Sequence, residues 1–152
     1  MIHLHQKVKD SISGFEGTVI GITQFHYGCA HICVVAHETS EGKPVEQWID
    51  ETRLDKRLAN DPRPLHPFMG KDAKDSITGF KGVITGHTQL ANGCERFSIL
   101  SRTERTKDDG VPMDLWFDAQ RLVVKNVAKA KDKKDKPGGP CSVPPSVDCP
   151  KR

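Results

Sequence analysis

The chain has 152 residues, 36% of them hydrophobic and 28% charged, with a net charge of +3 and five cysteines. No apolar run approaches the ~20 residues that span a bilayer, so an integral membrane protein is excluded, and the odd cysteine count leaves at least one thiol outside any internal pairing. The charge is uneven: eight Lys/Arg against three Asp from Lys125 onward leave residues 1–124 at −2, which argues against a body dedicated to nucleic acid.

In chain order, the start Met1 to Lys7 lacks the basic, apolar and small-residue regions of a secretory signal, and synthesis in a cytoplasm is expected. Ile2, Leu4 and Val8 predict a first short strand. Lys9-Asp10-Ser11-Ile12-Ser13-Gly14-Phe15-Glu16-Gly17 follows, and it returns 65 residues later as Lys74-Asp75-Ser76-Ile77-Thr78-Gly79-Phe80-Lys81-Gly82. Residues 9–29 and 74–94 match without a gap at 12 of 21 positions, so one module is carried twice.

Two glycines around an aromatic predict a turn that dips Phe15 or Phe80 into a core. The β-branched stretches at 18–23 and 83–88 predict strands, and Gly21 and Gly86 within them predict a bulge or a sharp bend. Gly28-Cys29 and Gly93-Cys94 lead into strands at 31–36 and 96–101. Polar loops then reach Val45 to Ile49 and Met113 to Phe117, and Asp50-Glu51-Thr52-Arg53-Leu54 lies over Asp118-Ala119-Gln120-Arg121-Leu122. Short strands, glycine turns and no convincing helix point to an all-β fold of two tandem small SH3-like barrels with an extended, irregular C-terminal tail. The predicted boundaries are residues 1–58 and 69–126 for the modules, 59–68 for a stiff Pro-rich linker that sets the distance between them, and 127–152 for a Lys/Pro-rich tail unable to build a core.

Cys29 and Cys94, repeated after a tight turn, read as small core residues beside Phe15 and Phe80. Cys33 is replaced by Ser98 in the second copy, so its position tolerates a polar side chain and Cys33 joins Cys141 and Cys149 as a candidate for intermolecular disulfides. The two tail cysteines have no core to bury them. Trp48 and Trp116 precede the Asp-x-x-Arg-Leu element; each either packs at a barrel end or lines a partner-binding groove, the use to which interfaces commonly put large aromatics. Lys133, Lys134 and Lys136 are either a solvated spacer or a docking patch for an acidic surface. His26, His31 and His37 align with Ala91, Arg96 and Arg102 and lack zinc-ligand spacing, so no metal and no cofactor is expected. Cys29, His31 and Asp50 have no nucleophile elbow or base spacing behind them, so no catalysis is expected either.

The repeated pattern Lys-Asp-x-Ile-Ser/Thr-Gly-Phe-x-Gly, then Gly-Cys, then Trp-Ile/Phe-Asp-x-x-Arg-Leu resembles a family of small proteins of tailed bacteriophages and prophages, usually with a single copy and mostly without an assigned function. The resemblance covers about residues 4–58 and 69–124. It implies a non-enzymatic virion accessory protein, made in the host cytoplasm, that decorates or links capsid or tail subunits and copies of itself. The duplication and the cysteine-bearing tail depart from the single-module pattern and suggest a bridging task. Lys7 to Val19 is also similar to the KOW element of ribosomal and transcription-factor barrels. That likeness implies the alternative of a non-virion module acting on nucleic acid, a nucleotide or a host protein, which the acidic body disfavours.

Overall fold

A computed structural model describes residues 1–36, 42 and 44–125. Nine strands run in chain order: β1 (Lys7–Lys9), β2 (Glu16–Phe25), β3 (His31–Ala36), β4 (Glu46–Asp50), β5 (Asp72–Asp75), β6 (Lys81–Leu90), β7 (Glu95–Arg105), β8 (Pro112–Asp118) and β9 (Leu122–Val124). One helical turn, α1 (Glu51–Leu54), and a 3-10 turn at Lys56–Ala59 follow β4, and a second 3-10 turn at Ala119–Arg121 links β8 to β9. Among the described residues no helix is long and apolar enough to cross a membrane.

Among the described residues all nine strands belong to one sheet, and no strand pairing closes either repeat into a barrel. The chain is therefore all-β with an open sheet. Each repeat is built on one long strand, β2 or β6, whose β-branched residues favour extended backbone. One edge of β2 pairs with β3, and one edge of β6 pairs with β7. The other edge is divided: its first half takes the repeat's own short strand, β1 or β5, and its second half takes the long strand of the other repeat.

The seam between the copies is antiparallel, with Gly21 opposite Leu90, Ile22 opposite Gln89, Thr23 opposite Thr88, Gln24 opposite His87 and Phe25 opposite Gly86. Adding 65 to the first-repeat member of a pair and subtracting 65 from its second-repeat partner gives another of these pairs or the same one, so a local two-fold axis passes between Thr23 and Thr88. Their hydroxyls lie 2.7 Å apart across it. The duplicated chain thus contains within itself the self-complementary contact of a two-fold dimer. Thr23→Val alone leaves the Thr88 hydroxyl without this partner and is expected to cost about 1 kcal/mol in a urea melt, whereas replacing both threonines by Val is expected to be nearly neutral.

Each copy keeps its own core. Ile2, Val19, Ile22, Ile32, Val34 and Ile49 form the first, with Leu4, Val8, Phe15 and Leu54 packed against it. Met69, Ala73, Phe80, Ile84, Phe97, Ile99 and Phe117 form the second. The register slips between Val19 and Gly21 and again between Ile84 and Gly86, a bulge at the same place in both repeats.

The two repeated motifs meet. Asp10 is fully buried at the turn, accepts hydrogen bonds from the N–H groups of Ile12 and Ser13 and the Ser13 hydroxyl, and pairs with the Arg53 guanidinium. Asp75 does the same with the Thr78 N–H at 2.8 Å, the Thr78 hydroxyl, and Arg121 Nε and Nη2 at 2.9 and 2.7 Å. Gly14 and Gly79 close these turns at φ 74° and 77°, a conformation that favours glycine. Asp50, three residues before Arg53 in the Asp-x-x-Arg-Leu element, instead caps α1 through the Thr52 N–H.

The Pro-rich segment runs along the seam and is tied to the first repeat. Arg63 pairs with the buried Glu51 and donates to the Ile2 carbonyl, while Gln24 Nε2 donates to the Pro64 carbonyl at 2.8 Å. The expectation of a spacer holding two bodies apart is thus corrected: the sheet is continuous from β2 to β6, and the segment braces their junction.

Candidate binding face

Alternation along β2 and β6 sends core residues to one side of the central sheet and a second set to the other. On that second face the register aligns Trp48, Cys33, Gly21 and Leu90 across four strands, and the dyad repeats the row as Trp116, Ser98, Gly86 and Phe25. Between them lies a row of Asp50, His31, Thr23, Thr88, Arg96 and Asp118. Arg96 Nε donates to Asp118 at 2.9 Å, and the rings of His31 and Phe25 meet edge to face at 5.4 Å.

Both tryptophans are about half exposed, Trp48 at 52% and Trp116 at 42%. Each indole leans over the glycine of the bulge: a methyl group on Gly21 would lie 3.2 Å from Trp48 Cη2, and one on Gly86 would lie 2.9 Å from Trp116 Cη2. The bare glycines leave the rings that space. Since Gly86 is four residues along β6 from the partner of Gly21, the two indole edges stand roughly 14 Å apart. A groove of about 340 Å³ beside Trp48 is lined by Ile20, Cys33, Glu46, Leu90 and Ala91 among others. Glu46 borders Trp48, and Asp114, which accepts from the Ser98 hydroxyl, is its counterpart near Trp116. The face offers apolar rings with carboxylates at their margins.

The cysteines correct three expectations. Cys29 and Cys94 are exposed, because β3 and β7 begin only after them and leave both in the hairpin turns. They are therefore not core residues. Cys33 is buried beneath the Trp48 row, and burial, with Glu46 nearby, pushes its thiol up to about 11. It is neither exposed nor a thiolate, so it is withdrawn as a crosslinking residue. The charge of Asp50, and a hydrogen bond to it, also raise the Cys29 thiol, the opposite of what a nucleophile needs. No described cysteine is disulfide-bonded. Phe80 is buried in the second core, and Phe15 is partly buried against the first. Cys141, Cys149, Lys133, Lys134 and Lys136 lie outside the described residues.

Two features escape a reading of the sequence alone. Ile12 and Ile77 project at the tips of the repeated turns, 76% and 74% exposed, and their repetition was the available signal. His66, His87 and Glu95 come together at the seam: His87 Nε2 lies 2.6 Å from Glu95 Oε1, and the two imidazole centroids are 4.4 Å apart. Burial, and then His87, hold His66 below the usual histidine range. Comparison with protein-family models, with curated proteins and with solved structures finds no match.

Proposed function

We propose that this chain is a non-enzymatic linking protein of a tailed-phage virion that grips two structural subunits at once through the faces of Trp48 and Trp116. The observation that carries the reading is the local two-fold axis, which presents the same half-exposed indole twice on one continuous sheet. Two equivalent weak sites on one rigid body gain avidity when a partner surface repeats at matching spacing, as capsid and tail lattices do. Placement on a virion rests on the likeness of the repeated motif to phage proteins. Partners are capsid or tail proteins and copies of this chain, with Cys141 and Cys149 of the C-terminal arm as the crosslinking residues. Further support for SH3-like units comes from the strand order β9-β5-β6-β7-β8 in the second repeat. The first repeat has α1 and its 3-10 turn where β9 would be. Glu46, Asp50, Asp114 and Asp118 beside the indoles favour a protein partner over a phosphate backbone.

The test is retention on purified particles, read by reducing and non-reducing electrophoresis. Trp48→Ala or Trp116→Ala alone is expected to weaken retention by about 10²-fold, as expected for loss of one arm of a bivalent contact, and the double variant to abolish it. Each ring is half in solvent, so each variant loses only ~2 kcal/mol of stability and stays folded. Absence of the chain from particles, or a double variant retained like the wild type, overturns the reading.

A further inference from the structure

The second repeat and the segment before it carry a polar cluster where the equivalent positions of the first are apolar. Where the first copy has Met1, Ile22 and Ala30, the second has His66, His87 and Glu95. His87 is 8% exposed and lies in the seam opposite Gln24; its ring stacks on Phe97 at 4.8 Å, which sets its direction. His66 arrives from the Pro-rich segment and packs edge-on against the same Phe97 at 5.1 Å. Glu95 opens β7.

The hydrogen bond to Glu95 already gives the buried His87 Nε2 a partner. The second histidine is not needed for that, yet both Nε2 atoms converge on one carboxylate oxygen, at 2.6 and 3.9 Å from Glu95 Oε1. One ligand atom from each of the three residues falls within 4.8 Å of the others. Donors around a tetrahedral ion with bonds near 2.1 Å stand about 3.4 Å apart, so binding asks the widest pair to close by up to about 1.4 Å and His87 and Glu95 to part by about 0.8 Å. The partly exposed Glu95 and the linker-borne His66 can supply these shifts.

We propose that His66, His87 and Glu95 form a binding site for a divalent first-row transition metal ion, with zinc the best match to two imidazoles and one carboxylate. Two nitrogens and one oxygen suit a borderline ion better than calcium or magnesium, which take oxygen sets. Three protein ligands leave a position for water. The groove at the site, about 240 Å³ and lined by Met1, Gln24, Arg63 and Gln89 among others, gives solvent and ion access. The bound ion would pin the Pro-rich segment to the second repeat, as Arg63 ties it to the first. The Phe68 N–H donates to His66 Nδ1 at 3.2 Å. Coordination through Nε2 puts the ring proton on Nδ1, so this bond is given up on binding and affinity falls below that of a pre-oriented site.

The experiment is a cobalt(II) titration of the metal-free full chain, followed by visible absorption and by zinc competition. A single equivalent should give ligand-field bands without a thiolate charge-transfer band, and zinc should displace it and raise the melting temperature of the wild type. His66→Ala and Glu95→Gln change partly exposed residues, and circular dichroism checks that each is folded. Each variant should bind cobalt at least about tenfold more weakly and lose the zinc-dependent melting shift. Absence of bands in the wild type, a thiolate band that places the ion on cysteine, or unchanged binding in both folded variants overturns the proposal.

Discussion

Gly17→Ala and Gly82→Ala each unfold the repeat that carries them. Neither glycine has a positive φ, so space rather than conformation demands it. A methyl group at Gly17 would sit 2.0 Å from the Val35 carbonyl oxygen and 2.7 Å from Val34 Cγ1; one at Gly82 would sit 2.1 Å from the Leu100 oxygen. The nearest obstacle at each site is a backbone carbonyl, of Val35 in β3 or Leu100 in β7, held by the ladders that build the sheet, so no rotamer change relieves it. Parting the strands breaks the pairing beside Val19 or Ile84, which are fully buried. The expected loss is ~4 kcal/mol or more, comparable to the whole stability of a small domain. Gly14→Ala is the matched control: its φ is 74° but nothing lies within 4 Å of the added carbon, so it costs only about 1 kcal/mol. Urea melts followed by circular dichroism separate the two classes, and a Gly82→Ala chain that melts like Gly14→Ala would contradict the packing argument.

Asp10→Asn and Asp75→Asn lower the melting temperature by about 10 °C or more each and flatten the acid side of the stability profile. Each replacement leaves an arginine without its carboxylate and weakens the acceptor that holds the turn. The Ser13 hydroxyl and then Arg53 hold the Asp10 carboxyl well below the usual carboxylate range; Arg121 and then Thr78 do so for Asp75. In the unfolded chain both groups protonate at their ordinary value of 3.8. The unfolded state therefore takes up protons first on acidification. Stability from these pairs is complete above that value and is lost as pH falls from it toward the lower folded values. Thermal melts from neutral pH down to pH 3 should show a falling limb in the wild type. It should be reduced in either single variant and further in the double, with a remainder from Asp50 and Asp55, whose carboxyls are also held below their ordinary value; equal acid limbs in all four chains would remove Asp10 and Asp75 from the account.

The same pairs show how much could be read from the chain. The Asp10 and Asp75 turns, the Arg53 and Arg121 elements and the bulge glycines are each written twice, so their importance was legible before their contacts were known. The partner of Arg53 was not, because Asp50 lies three residues away and Asp10 lies 43; only the folded path decides between them. Cys29 and Cys94 were misplaced for a different reason. The strands after them begin within one residue of expectation; the error lay in reading a small apolar side chain as core by residue type, whereas its turn position leaves it in solvent. His87 and Glu95 could have been suspected as polar residues at repeat positions where the first copy has Ile22 and Ala30. His66 could not, since it comes from a segment outside the matched repeat.

By itself the sequence determined the duplication, the all-β character, the turns and the bulges, because these depend on local backbone preference and on a period repeated within one chain. The tertiary structure decided that the copies share one sheet. Pairing of β2 with β6 uses main-chain N–H and C=O groups that every residue but proline offers, so side-chain identity marks that edge only faintly. From that pairing follow the dyad at Thr23 and Thr88, the two tryptophan faces at set spacing, and the meeting of His66, His87 and Glu95, since each requires both repeats or the segment between them to be in place.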